Sequence, residues 1–346
     1  MSELLAALEV LATDWLLPRS VQALPLFATV LLVDAALGRR IGPEARGLLW
    51  TLALALPCLP LGLEAGWAPL PHPAPLAGAA ASLPAWTRVL AVLWLAGALV
   101  HLGLLVAGEL GHRRRLARLE RVPSAWLDRT VAEVAAGLGM RRAPSLLVLR
   151  GLDEALTLGL LRPRVLLPLR LCERARGDAR ARFRLRQVLA HELAHVRRRD
   201  PLVVAAWRLL LAPFWFHPLQ RFALRRAELC AELSCDRQAL RGSGARPDEY
   251  GRTLLDQARA WIAPGPRAAT GFLGPRSMLL ARLELLPSLH RPRRPLLGLL
   301  LATVVAVCCM PARTTRAGPA YEDLEGCLQK RFFVMRAMAA AAEAPR

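Results

Sequence analysis

Four stretches of this 346-residue chain are apolar enough and long enough to cross a lipid bilayer. They set most of what the chain can fold into. A span needs about 20 mainly apolar residues, within a range of roughly 17 to 25. Inside hydrocarbon every backbone N–H and C=O must be paired within the protein, which only helices and closed barrels achieve. The first stretch, Ser20 to Gly38, is interrupted only by Gln22 and Asp34. The second, Gly47 to Leu63, is bent by Pro57 and Pro60; the third, Val89 to Gly108, is the cleanest; the fourth is Pro295 to Ala312. Ahead of them, Leu4 to Leu17 is shorter, carries Glu9 and Asp14, and lacks the basic start and cleavage site of a signal peptide. An interfacial helix is expected there.

Charge sets the orientation. Residues His112 to Arg294 hold 36 Lys/Arg against 16 Asp/Glu, which accounts for the whole net charge of +20. The short loop after the first stretch is basic (Arg39, Arg40, Arg46), whereas Glu64 to Thr87 has no Lys or Arg. The positive-inside rule then places the N-terminus outside, residues 112–294 in the cytoplasm and the C-terminal tail outside. The run from His112 to Arg121 reads as a stop-transfer anchor. The basic residues are scattered, so attraction to anionic membrane lipid explains them better than nucleic acid, and no direct nucleic-acid binding is expected. Seven cysteines form no disulfide framework, and Cys172, Cys230 and Cys235 fall on the reducing side.

Within the basic segment, Leu185 to Arg199 read LRQVLAHELAHVRRR. On a helix, His191 and His195 project from one face, one turn apart, and can share a metal. Glu192, beside the first histidine, is placed to hold and deprotonate a water on that metal, as in the H-E-x-x-H zinc peptidases. Leu185, Val188, Leu189, Leu193 and Val196 cover the rest of the helix, so it is expected in a core. A catalytic zinc wants three protein ligands and one open position. The acidic stretch ELCAELSCD (228 to 236) offers the third. Glu232 and Asp236 share a face, one able to bind metal and the other to orient a ligand histidine. Glu228 lies on that face too and competes with Glu232 on position alone.

These blocks resemble the BlaR/MecR family of membrane zinc metallopeptidases. The resemblance rests on VLAHELAH (188 to 195), RRD (198 to 200), WFHP (215 to 218), ELSCD (232 to 236) and, upstream, LGLLRPRVLLP (158 to 168). It implies a multi-pass α-helical membrane protein with a mostly helical α+β, gluzincin-type metallopeptidase domain inserted between spans three and four. It assigns one zinc per chain to His191, His195 and Glu232, over Glu228, and the base role to Glu192. The expected organisation is a membrane region over 1–111 with spans at 20–38, 47–63 and 89–108. A cytoplasmic zinc metallopeptidase domain follows over 112–294, then a fourth span over 295–312 and an extracytoplasmic tail over 313–346. In the family pattern Cys235 is a small buried residue beside the site.

Elsewhere in the segment, residues 125 to 139 have helical periodicity ending at Gly139. Ser145 to Leu149 and Val165 to Leu169 read as strands. Leu156 to Leu160 is the stretch expected to hold extended substrate by main-chain hydrogen bonds. Gly177 to Arg184 reads as a polar break, Asp200-Pro201 as a helix start with Asp200 as the cap, and residues 242 to 276 as a mobile Gly/Pro-rich connection. Ser277 to Leu286 reads as a further helix. His217 and Tyr250 are candidate transition-state donors.

The implied function is a signal-transducing protease in the cell membrane that cleaves itself or a peptide or protein partner, such as a winged-helix-type repressor. The best-known members carry an external Ser-x-x-Lys acylation site. Here the only lysine is Lys330, preceded three positions earlier by Cys327, so no β-lactam acylation site is expected. Arg293-Arg294 is a candidate self-cleavage site. The alternatives are an HtpX-like quality-control protease and a non-catalytic receptor or scaffold that retains the zinc fold.

Overall fold

The computed structural model describes residues 8, 11–38, 40–58, 85–118, 120–122, 125–262 and 275–289. The fourth expected span, the tail, the dibasic Arg293-Arg294 and Cys308, Cys309 and Cys327 lie outside the described residues.

Two of the expected spans are helices long and apolar enough to cross a membrane, over Arg19–Leu37 and Trp86–Arg114. They belong to α1 (Leu17–Leu37) and α3 (Ala85–Ala117). A π-helical turn, Leu11–Leu16, winds directly into α1; residues 4–7, 9 and 10 of the expected interfacial helix lie outside the described residues. Between them α2 (Pro43–Ala55) is shorter than the expected second span and ends in a 3-10 turn, Leu56–Cys58, that carries Pro57.

A small sheet follows. Strand β1 (Arg121–Val122), helix α4 (Ala125–Gly137), β2 (Ser145–Leu149), β3 (Leu156–Leu158) and β4 (Arg164–Pro168) give the strand order β1-β2-β4-β3. Strand β4 lies parallel to β2 and antiparallel to β3. Val165, Leu166 and Leu167 are all buried, as a central strand requires, and β3 is left at the sheet edge. The β3–β4 connection needs Gly159: its φ is 102°, and a Cβ there would lie 2.6 Å from the Arg162 carbonyl oxygen.

The remainder is helical: α5 (Leu169–Gly177), α6 (Ala179–Arg198), α7 (Asp200–Leu211), a 3-10 turn (Ala212–Phe214), α8 (Pro218–Ser243), α9 (Pro247–Ile262) and α10 (Pro275–Leu289). The polar break expected over 177–184 narrows to one residue. Asp178 caps α6, accepting from the Arg180 and Ala181 N–H groups at 3.0 and 3.1 Å, a cap worth about 1 kcal/mol. The connection expected over 242–276 contains α9, whose Tyr250 and Leu254 are buried, one turn apart.

Helix α6 is central. Leu185, Val188, Leu189, Leu193 and Val196 pack with Leu127 and Val131 of α4 and Val165 and Leu167 of β4. Each such leucine removed from water contributes roughly 1.5–3 kcal/mol. Ala190 faces the other way, into a core with Leu229, Leu233 and Leu240 of α8, Tyr250 of α9 and Leu286 of α10. A third core joins helices on either side of residue 111. Phe27 and Val30 of α1 and Leu49, Trp50 and Leu54 of α2 pack on Trp207 of α7 and Ala223, Ala227 and Cys230 of α8. Buried among them, Asp34 accepts from Arg46 Nε at 2.5 Å, Trp50 Nε1 at 3.2 Å and Arg226 Nη2 at 2.5 Å. Helix α8 therefore contributes to two cores.

Candidate metal centre

The 3.6-residue period brings His191 and His195 to the α8 side of α6, with the small Ala190 and Ala194 fully buried on the same helix. Their Nε2 atoms lie 3.1 Å apart. Glu232 of α8 meets them, with Oε2 3.4 Å from His191 Nε2 and Oε1 3.6 Å from His195 Nε2. Tetrahedral zinc with bonds of about 2.0–2.1 Å has ligand–ligand edges of about 3.3–3.4 Å. The histidine pair is slightly closer than that, and each histidine meets a different Glu232 oxygen at or slightly beyond it.

The rear nitrogens explain why a cation fits. His195 Nδ1 donates to Asp200 Oδ2 at 2.8 Å, and His191 Nδ1 faces Asp236 Oδ1 at 3.1 Å. With both rear N–H groups given to carboxylates, two Nε2 lone pairs point at one another beside a third anionic donor. Such a set is favourable only with a positive charge between its members. Burial pulls the His191 pKa down, but its hydrogen bonds to Asp236 and Glu232 outweigh this and raise it to about 10. Burial would raise the two carboxylates, yet Arg282 and the histidines hold Asp236 at about 2 and Glu232 well below the usual range.

A match of the family model described as BlaR1 peptidase M56 covers residues 71–286, more than half of the chain. The chain belongs to that family. Membership makes it a membrane metallopeptidase of the BlaR1 type in general terms. No curated protein matches it.

The structure brings some of the residues singled out from the sequence together and leaves others apart. Glu192 adjoins the ligand set, and Thr157 of the edge strand β3 donates to its Oε2 at 2.8 Å and to its backbone oxygen at 3.1 Å. Thus the strand expected to hold substrate touches the expected base. Glu228 instead pairs with Arg208, at 3.3 Å. Tyr250 sits behind His191: its hydroxyl is 3.1 Å from Nδ1 and donates to Asp236 Oδ1 at 2.8 Å. His217 belongs to the α1–α8 contact, with Nε2 3.3 Å from the Ser20 carbonyl oxygen and its ring stacked on Phe27.

Two residues were missed. Asp200 is the first residue of α7 and not its cap; Arg199, in the left-handed conformation (φ 56°), takes the cap position. That turn swings the buried Asp200 carboxylate back to His195 and to Arg198 Nε, which lies 3.1 Å from both oxygens. The RRD block held the signal, an acid five residues after His195. Arg282 of α10 grips Asp236 with two hydrogen bonds, of 2.9 and 2.6 Å, and reaches Glu232 Oε2 at 3.0 Å. No local pattern marked it.

Cys235 also nears His195 and Asp200, at 3.4 and 3.3 Å. Burial, followed by the charges of Asp200 and Glu232, pushes its thiol well above the usual range, so it donates a hydrogen to Asp200. Arg198 already supplies the positive charge beside that carboxylate.

Proposed function

We propose that this chain is a zinc-dependent endopeptidase in which His191, His195 and Glu232 hold the metal and Glu192 handles the proton. The observation that carries the reading is the convergence of three ligand atoms within 4.8 Å of one another, beside a glutamate held by Thr157. Zinc held there supplies Lewis-acid chemistry, acidifying water and polarising a carbonyl. Glu192 takes a proton from the attacking water and returns it to the departing amine. Thr157 anchors one carboxylate oxygen, fixing the rotamer from which both transfers run. Asp200 and Asp236 hold the rear nitrogens of the two histidines, which keeps the Nε2 lone pairs on the ligand side. Tyr250 and Arg282 in turn hold Asp236. Strand β3 offers an unpaired edge on which a substrate peptide adds by main-chain hydrogen bonds.

The biological reading is a signal-transducing protease of the cell membrane, with its catalytic segment in the cytoplasm, that cleaves itself or a repressor. The family supports it, as do the two apolar helices and the basic segment that follows α3. The test compares wild type with Glu192→Ala in isolated membranes, reading zinc content and fragments together. Zinc in both, with fragments of the chain or of a co-expressed repressor only in wild type, is the expected result. Zinc in neither sinks the metal reading. Zinc in both with fragments in neither, under inducing conditions, favours a non-catalytic scaffold.

A further inference from the structure

The turn between α7 and α8 pairs its backbone in an unusual way. At a helix end the last carbonyls lack intrahelical partners and are met by side chains, tight-turn bonds or water. Here they meet groups of the protein. The Leu210 oxygen, at 3.2 Å, shares the Cys58 thiol with the Leu54 oxygen, and the Pro213 oxygen accepts from Trp94 Nε1 at 2.8 Å. The Phe214 oxygen accepts from the His217 N–H at 2.8 Å and the Trp215 oxygen from Arg221 Nε at 2.9 Å. In return Trp215 Nε1 donates to the Trp94 oxygen at 3.2 Å. Gly97 makes room for that indole: a Cβ there would lie 2.2 Å from the Trp215 ring.

Trp94 and Gly97 are deep within α3. Trp94 lies eight residues inside the apolar stretch Trp86–Arg114, about 12 Å along the axis. The hydrocarbon core is about 30 Å thick, so whatever docks on Trp94 lies within it. Helix α7, with 12 residues, measures about 18 Å from this turn back to Asp200. The outward residues of α7, the turn and the start of α8 are apolar: Leu209 is 61% exposed, and Phe216 and Phe222 are exposed too, as are Val100 and Leu104 of α3. The charges along the hairpin are engaged, Arg208 with Glu228 and Arg221 with the Trp215 carbonyl, as charges at membrane depth must be.

We propose that residues 200–222 form a re-entrant hairpin inserted into the acyl chains beside α3. Its base, where Asp200 holds His195, then lies at the bilayer surface, and the metal centre works there on segments presented close to the membrane. This rests on reading Trp86–Arg114 as a span. Backbone pairing at the turn is what hydrocarbon demands of non-helical chain.

The full chain, reconstituted in phosphatidylcholine–phosphatidylglycerol vesicles, is photolysed with an apolar aryl diazirine that partitions into the acyl region, and adducts are mapped by residue. Phe183, exposed near the opposite end of α6, is the reference outside lipid. Adduct yields at Leu209, Phe216 and Phe222 nearer those of Val100 and Leu104 than that of Phe183 are expected. Yields nearer that of Phe183 overturn the hairpin while leaving the span intact. Should Val100 and Leu104 label no better than Phe183, the span fails and the hairpin with it.

Discussion

Asp200→Asn tests how the second histidine is held. In the wild-type site both carboxylate oxygens are engaged: Oδ2 accepts from His195 Nδ1 at 2.8 Å, and Arg198 Nε lies 3.1 Å from each. Asparagine offers one acceptor. Turned so that its oxygen serves His195, it sets its amide N–H groups against Arg198 Nε–H; turned the other way, it sets them against His195 Nδ1–H. Either choice weakens the grip on the imidazole and removes the negative charge that makes Nε2 a better donor. Loss of such a carboxylate behind a ligand histidine costs roughly 10–100-fold in metal affinity, or about 1.4–2.7 kcal/mol. The assay is zinc competition against a chromophoric chelator on the detergent-solubilised full chain. Thermal unfolding of the metal-free protein checks that the fold persists. An affinity within twofold of wild type, with the fold intact, refutes the orienting role.

Thr157→Val removes the hydroxyl that fixes Glu192, and is expected to lower kcat about tenfold, the equivalent of one hydrogen bond, with zinc content unchanged; a kcat equal to wild type removes Thr157 from the mechanism. Arg282→Met strips the buried Asp236 of its guanidinium partner and leaves its charge to Tyr250 and His191. Breaking such a pair costs about 3–5 kcal/mol, so Tm should fall by roughly 6–20 °C, and an unchanged Tm contradicts it. In the metal-free protein His191 titrates near 10, raised by Asp236 and Glu232 against the pull of burial. The raised value means that its proton stabilises the fold below the ordinary histidine pKa, and that this contribution is lost as pH rises through about 10. Zinc must displace that proton, so affinity should rise by up to about tenfold per unit between about pH 7 and pH 9. A flat profile in competition titrations excludes it.

What the sequence showed of this site follows from helical geometry. His191, Glu192 and His195 lie within five residues, and Glu232 and Asp236 within five more, so period and chemistry sufficed to pair them. Strands β2 and β4 were legible as short apolar runs bounded by proline or glycine. Asp200 was misread because an Asp-Pro pair carries a strong capping signal, and only the left-handed turn at Arg199 redirects its carboxylate. Arg282 was invisible: its partners lie about fifty residues away, and one more arginine in an arginine-rich segment carries no local mark. Helix α9 was hidden by the glycines and prolines on either side of it. Hydropathy located α1 and α3, but it cannot report that Trp50 and Leu54 of α2 face Ala227 and Cys230 of α8 and not lipid.

Helix α8 spends Ala223, Ala227 and Cys230 on the core shared with α1 and α2, and Leu233 and Leu240 on the core around the metal centre. Arg226, bound to Asp34 of α1, precedes Glu232 by six residues on the same rigid rod. Such a rod transmits torque. With side chains about 5–6 Å from the axis, a twist of about 20° displaces the Glu232 carboxylate by about 2 Å. Ligation tolerates about 0.2 Å. A fifth of a residue's turn at the Asp34 end is therefore enough to carry Glu232 away from His191 and His195.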